Sequence, residues 1–244
     1  MNWLILGATS GIAIPLAREL ASRKHRLFLA ARDQKRLDLL ATDLKTRYDI
    51  EVKTSILDAL DFDSHNKFIE KVESTFGHIY GVIWAIGTIG DQKEAETDFS
   101  LAHEIIQANY TSAVSLLSRL AEQMQARRKG HIVGLSSVAG DRGRVKNYIY
   151  GSAKAGLSAF LQGLRQRLAP YGIHVLTVKP GFVDTRMTRG QEGMFLIAKP
   201  EDVAREIALA IDRKIEVLYT PWFWRFIMLI LRHISEKIFK HLRL

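Results

Sequence analysis

Seven tyrosines occur in the 244-residue chain, and only Tyr150 is followed by a lysine four positions later, Lys154. On a helix, positions four apart share one face, so the spacing holds a phenol beside an ammonium. A phenol ordinarily keeps its proton up to about pH 10. A neighbouring cation favours the phenolate, which suits the pair to proton transfer with a carbonyl or alcohol oxygen. A tyrosine and a lysine also meet on helix surfaces by accident, so the pair alone is weak. Upstream, Ser136-Ser137 closes an apolar run at 132–135 and offers a hydroxyl able to orient the reacting oxygen. Without those partners, a serine pair at a strand end reads as a turn or helix cap.

A second group lies at the start of the chain. The apolar residues 3–6 run into Gly7-Ala8-Thr9-Ser10-Gly11-Ile12-Ala13 and then into helical spacing. Glycines in a strand-to-helix turn let backbone approach a pyrophosphate, and the helix N-terminus adds free N–H groups. Gly-x-x-x-Gly is loose by itself, and its place in the first βα turn gives it weight. The second apolar run ends at Arg32, where a site preferring NAD usually carries an acid. A guanidinium there suits the extra 2′-phosphate of NADP(H). The bland reading is a solvated Arg that opens a helix alongside Lys35 and Arg36.

Strands expected at 3–6, 27–30, 80–85, 131–136 and 174–178 alternate with helices expected at 12–23, 34–48, 99–127 and 151–171. The pattern predicts an α/β fold: a single Rossmann-type doubly wound parallel sheet with helices on both faces. It would span residues 1–214, followed by an apolar, basic tail over 215–244. Within the tail, residues 222–231 are ten positions apolar but for Arg225, too few to span a bilayer. Continued as one amphipathic helix, residues 222–244 place Ile227, Leu231, Ile234 and Ile238 on one stripe. Arg225, Arg232, Lys240 and Arg243 fall on the other side. The segment holds five Lys or Arg against the single Glu236, a net +4 of the chain's +9. It is expected to lie on an anionic membrane surface, pack on a partner subunit, or cover the active site.

The chain has no cysteine, which excludes disulfides and thiolate chemistry, and its eight histidines show no metal-binding spacing. No metal is expected. The N-terminal stretch does not read as a signal peptide, and a cytoplasmic location is expected, with peripheral contact on the inner face of the membrane. The positive charge is not interleaved with aromatics as in a nucleic-acid fold, so no nucleic-acid partner is expected. Between Ser137 and Tyr150, the cations Arg142, Arg144 and Lys146 are candidates to grip a substrate phosphate, or else belong to a solvated loop.

Across residues 2 to about 190 the chain resembles the short-chain dehydrogenase/reductases. Five ordered motifs carry the likeness: Gly7-x-x-x-Gly11-Ile12, Ala108-Asn109, Ser136-Ser137-Val138-Ala139-Gly140, Tyr150-x-x-x-Lys154 and Pro180-Gly181-Phe182-Val183-Asp184-Thr185. The resemblance implies that Tyr150 is the general acid in reduction and that Ser137 polarises the carbonyl. It implies that Lys154 binds the nicotinamide ribose and lowers the Tyr150 pKa, while Asn109 holds a relay water. It also implies a dinucleotide site formed by Gly7, Thr9, Ser10, Gly11, Ile12, Arg32, Asp58, Gly87, Pro180, Gly181, Val183 and Thr185. Asp58 would meet adenine, and Val183 and Thr185 would touch the carboxamide and phosphates. A homo-oligomer built through helices 99–127 and 151–171 is implied as well. Three positions depart from the pattern: Ala13 for a third glycine, Leu6 for a threonine, and Trp84-Ala85-Ile86-Gly87 for Asn-Asn-Ala-Gly.

Residues 87–92, 147–157 and 179–183 resemble one branch of that family more narrowly. Its members, the decaprenylphosphoryl-2-keto-erythropentose reductases of arabinan precursor synthesis, reduce a keto sugar on a polyprenyl phosphate. The resemblance implies NADPH-dependent reduction of a lipid-linked keto sugar for cell wall biosynthesis. Two alternatives stand beside it. One is reduction of another lipid-like carbonyl (a ketolipid, sterol or 3-ketoacyl chain), and the other is a non-catalytic NADP-binding scaffold or sensor. The substrate pocket is expected in loops 88–98 and 186–200.

Overall fold

The computed structural model describes residues 1–188 and 195–242. Seven parallel strands form one sheet: β1 (Asn2–Leu6), β2 (Arg26–Ala31), β3 (Val52–Ile56), β4 (Gly81–Trp84), β5 (His131–Leu135), β6 (His174–Pro180) and β7 (Val217–Thr220). Their order is β3-β2-β1-β4-β5-β6-β7. Strands buried on both faces must be apolar throughout, and Leu4, Ile5, Leu6, Val82, Ile83, Ile132 and Val133 are fully buried. The helices α1 (Ala13–Ser22), α2 (Gln34–Tyr48) and α8 (Pro200–Asp212) cover one face. The other is covered by α3 (His65–Phe76), α6 (Ser112–Arg127) and α7 (Tyr148–Leu168). Strand order reverses between β1 and β4, which opens a crevice at the carboxyl ends of the strands.

The structure departs from the sequence expectations at three places that matter for the site. The helix expected over 99–127 is α5 (Phe99–Ile106), a π turn (Gln107–Thr111) and α6. Asn109 sits in that turn with its side-chain amide on the carbonyls of Thr88 and Ile105, at 2.6 and 2.8 Å. A short helix, α4 (Gln92–Thr97), precedes α5, and its Gln92 Oε1 accepts the Ile149 N–H at the start of α7.

The sheet also runs past residue 214. β7 pairs with β6, Lys179 opposite Tyr219, so the seventh strand lies inside the segment expected as tail.

The third departure is the tail itself, which is not one helix. It comprises α9 (Trp224–His233) and α10 (Glu236–Phe239), separated where Ile234 turns extended. The Arg142 guanidinium takes the carbonyls of Arg232 and Ile234 at this break, at 3.3 and 3.1 Å. Ile227 and Leu231 face inward with buried Trp224 and Met228 against Val138, Phe182 and Tyr219. A second apolar set, Trp222, Phe226, Leu229 and Ile230, stays exposed. Arg243 and residues 189–194 of the expected pocket loop lie outside the described residues.

Candidate active site

The carboxyl ends of β1, β2, β4, β5 and β6 surround one cleft of about 500 Å³. Its lining includes Gly7, Thr9, Ser10, Gly11, Ile12, Arg32, Asp58, Gly87, Ser137, Tyr150, Lys154, Pro180, Gly181, Val183 and Thr185. One cavity thus collects the glycine turn after β1 with Ser137, Tyr150 and Lys154, which lie between β5 and β6. Only a fold that returns each strand in parallel brings these distant segments together.

The first turn is made of backbone. Gly7 has φ +83°, and a Cβ there would stand 2.7 Å from the Ala85 carbonyl carbon. Close passage of two chain segments with a left-handed φ therefore demands glycine. The N–H groups of Gly7 and Ala8 both reach the Ala30 carbonyl, and the Ser10 hydroxyl accepts the Ala13 N–H at 3.3 Å. Ala13, standing where a third glycine was the pattern, is fully buried against the sheet. At the far end, exposed Arg32 lines the cleft with Arg36, whose guanidinium donates to the Thr9 carbonyl at 3.0 Å. The neighbouring acid Asp33 is occupied as the α2 cap and accepts the Arg36 N–H. Arg36 was legible in sequence only as a solvated helix residue. Its spacing one turn into α2 is the signal that places it beside Arg32.

The other end is made of side chains. Tyr150 and Lys154, 8% and 4% exposed, lie on the first turns of α7 with the Lys154 Nζ 5.7 Å from the phenol ring centre. Burial pushes the Tyr150 phenol up to about 12, against opposing pulls from a Ser137 hydrogen bond and the Arg144 charge. Tyr150 therefore carries its proton at neutral pH, as a donor to a carbonyl must. Burial alone brings Lys154 down to about 7, and its Nζ donates to the Leu135 carbonyl at 2.9 Å. Burial is the largest influence on both groups, and the Lys154 ammonium stands on the same helix face as the phenol.

Ser136 and Ser137 separate in role. The Ser136 hydroxyl donates to the Lys154 carbonyl at 2.9 Å and contacts Ser158 at 2.7 Å, pinning β5 to α7. Ser137 is the one that draws the Tyr150 phenol down, and its hydroxyl accepts the Ala139 N–H at 3.1 Å. Asn109 is fully buried behind Gly87, its Oδ1 without a partner. A Cβ on Gly87 would stand 2.4 Å from that oxygen and 3.2 Å from Lys154 Nζ. The π turn thus aims a free acceptor at the space beside Lys154, and such turns often mark functional sites. Trp84, in place of the pattern's Asn, is buried in the core on the α6 face and takes no part in the cleft.

Of the three cations expected to grip a phosphate, the structure brings one to the cleft. Arg144 lines it, with its Nε buried and unpartnered. Arg142 turns away to pair with Glu236 at 2.9 Å, and Lys146 is exposed outside the lining. Asn147, not singled out in the sequence, also lines the cleft with an unpartnered Oδ1. Among the described residues no group of three or more His, Cys, Asp or Glu could hold a metal ion.

A buried tyrosine with a serine and a lysine beside it, on a parallel sheet whose first turn is glycine-rich, fits a dinucleotide-dependent oxidoreductase. The short chain dehydrogenase family model matches residues 2–194, and the chain belongs to that family. It is 38% identical over 239 residues to an uncharacterized oxidoreductase of Mycobacterium tuberculosis, covering 98% of this chain and 96% of that one. A Streptomyces virginiae protein named as a monensin polyketide synthase ketoacyl reductase is 33% identical over 189 residues, 76% and 72% of the two chains. Among solved structures, the short-chain dehydrogenase from Sphingobium yanoikuyae in complex with NADPH superposes with a TM-score of 0.86. It is 25% identical and the match covers 99% of this chain and 96% of that one.

Proposed function

We propose that the protein uses NADPH to reduce a ketone to a secondary alcohol, and that its preferred substrate is a keto sugar carried on a polyprenyl phosphate. The observation that carries the first part is the convergence of Ser137, protonated Tyr150 and Lys154 on one cleft, with Asn109 behind it. The glycine turn that a Cβ would fill, and the two guanidinium groups at its far end, fit a dinucleotide with a 2′-phosphate. When bound, that cofactor supplies the hydride. The Ser137 hydroxyl steadies the oxygen as charge develops, and Tyr150 gives it the proton. Lys154 holds the ribose, and the free Oδ1 of Asn109 holds a water that returns a proton toward Tyr150.

Two features support the lipid-linked substrate. Arg144 brings a cation into the cleft beside Tyr150, suited to an anionic or oxygen-rich group. Trp222, Phe226, Leu229 and Ile230 are exposed with Arg225 on α9, which packs against the cleft residue Phe182. No described helix is long and apolar enough to cross a membrane. The tail would instead rest on an anionic bilayer from the cytoplasmic side, its aromatics at headgroup depth. Exposed Phe99 on α5 and the open surface over Gly163 on α7 suit the homo-oligomer that belongs to the same reading. A 3-ketoacyl substrate is the second reading, favoured by the likeness to the ketoacyl reductase.

The test follows NADPH oxidation with and without a membrane lipid extract, in wild type and in Tyr150→Phe. Extract-dependent oxidation is expected in the wild type and should fall by about 10³ in the variant, the scale of a lost general acid. Turnover that survives in Tyr150→Phe removes the assigned chemistry. Turnover on short 3-ketoacyl thioesters with none on the extract replaces the keto sugar by the acyl substrate.

A further inference from the structure

One buried ion pair lies outside the proton-transfer set. Asp141 follows the 3₁₀ turn Val138–Gly140, and its side chain is 3% exposed. Its two oxygens are divided between two strands: Lys179 Nζ of β6 donates to Oδ1 at 2.5 Å, and the Tyr219 hydroxyl of β7 donates to Oδ2 at 2.7 Å. Lys179 and Tyr219 are direct partners in the ladder, so both side chains leave the same face of the sheet. Burial and the carboxylate push the Tyr219 phenol up, which keeps it a donor. A buried carboxylate that lost either partner would be costly, and the geometry is therefore stiff.

The two following arginines part from this point. Arg142 leaves for the tail, where it meets Glu236 and the carbonyls of Arg232 and Ile234 and lies 4.2 Å over the Phe239 ring. Arg144 enters the cleft with no hydrogen-bond partner on its buried Nε. Desolvation works against its charge, and the Asp141 carboxylate supports it. With its buried Nε unpartnered among the described residues, Arg144 takes its place from the chain that carries it.

We infer that Asp141 is a positioning residue of the active site: anchored by Lys179 and Tyr219, it directs the following segment so that Arg142 reaches the tail and Arg144 stands beside Tyr150. The inference rests on the proposed reductase activity only in giving Arg144 a substrate to meet. Its placement of Arg144 holds whether or not that substrate is a ketone.

The experiment needs no turnover. The ¹⁵N-labelled protein gives Nε–Hε signals for its arginines, with Arg144 assigned by its loss in Arg144→Lys. Arg165, whose Nε donates to the Val175 carbonyl at 2.9 Å, is an internal reference for the sheet as a whole. In Asp141→Asn, water exchange of the Arg144 Nε–Hε should quicken at least tenfold while that of Arg165 and the affinity for NADPH stay within twofold. Tyr219→Phe, which keeps the Lys179 pair, should give a smaller change in the same direction. Should Asp141→Asn release Arg165 as well, the milder Tyr219→Phe decides by the same criterion. An unchanged Arg144, or parallel release of both arginines in Tyr219→Phe, overturns the inference. Where the lipid-extract assay gives turnover, Asp141→Asn should raise the KM for the carbonyl about tenfold and leave kcat within threefold. An unchanged KM there also overturns the inference.

Discussion

The two halves of the cleft are built from different materials. The half at β1 and β2 is backbone: Gly7 against Ala85, paired N–H groups on Ala30, and a helix start. The half at β5, β6 and β7 is side chains, with Tyr150, Lys154, Arg144 and Phe182 in the wall and Trp224 and the Asp141 pair behind it. Backbone recognition fits an invariant ligand part such as a pyrophosphate, since it tolerates no change of shape. Side chains supply charge, proton transfer and selectivity, and they depend on packing from further along the chain. The first half is therefore local and the second is assembled.

The largest way to break the assembled half is Trp224→Ala. Trp224 is 1% exposed and fills the space over Gly181, so its loss should cost about 3–5 kcal/mol of stability, measured by denaturant unfolding. A cost below about 1 kcal/mol would make the tail an appendage. Gly7→Ala should break the local half. Strain at φ +83° with a Cβ against Ala85 is worth about 1–3 kcal/mol, so NADPH affinity by titration should fall about 10- to 100-fold. Unaltered affinity would remove the turn from the cofactor site.

Lys154 sits where the halves meet, and its charge state has a pH signature. Its folded pKa, about 7, lies below the unfolded value near 10.5, so the unfolded chain binds more protons between those limits. Stability from this group should climb as pH rises through that window and be fully withdrawn below about pH 7. Against Lys154→Met, the wild type should gain about 3 kcal/mol between pH 7 and 9.5, a magnitude set by 1.4 kcal/mol per pKa unit. Parallel curves for the two proteins would contradict the buried, destabilised ammonium. The smallest effect sharpens cofactor choice: Arg32→Ala should weaken NADPH about tenfold and spare NADH, as befits one exposed phosphate contact. Equal losses for both cofactors would take the 2′-phosphate away from Arg32.

The same division explains what could be read before the structure. The glycine turn, Tyr150-x-x-x-Lys154 and the alternation of strands and helices are short-range patterns, and each kept its place. The third strand was implied only through Asp58, and β7 was absorbed into the tail because four residues carry little periodicity. The break at Ile234 depends on Arg142, ninety-two residues away in sequence. No local spacing marks such a contact. Arg142, Arg144 and Lys146 formed one basic cluster in sequence, but a loop gives successive side chains no common direction. The anchor at Asp141 divides them. Of the expected stripe Ile227, Leu231, Ile234 and Ile238, the first two face their own domain and Ile238 stays exposed, since periodicity does not show what covers a face.

Trp224 stands over Gly181 so closely that a Cβ there would fall 1.8 Å from the indole nitrogen. Chain design around this protein inherits that fit. A shortened chain ending before 224 would uncover Val138, the neighbour of Ser137. Swapping the tail for one from a relative calls for exchanging residue 181 with it, so that the two travel as a single module.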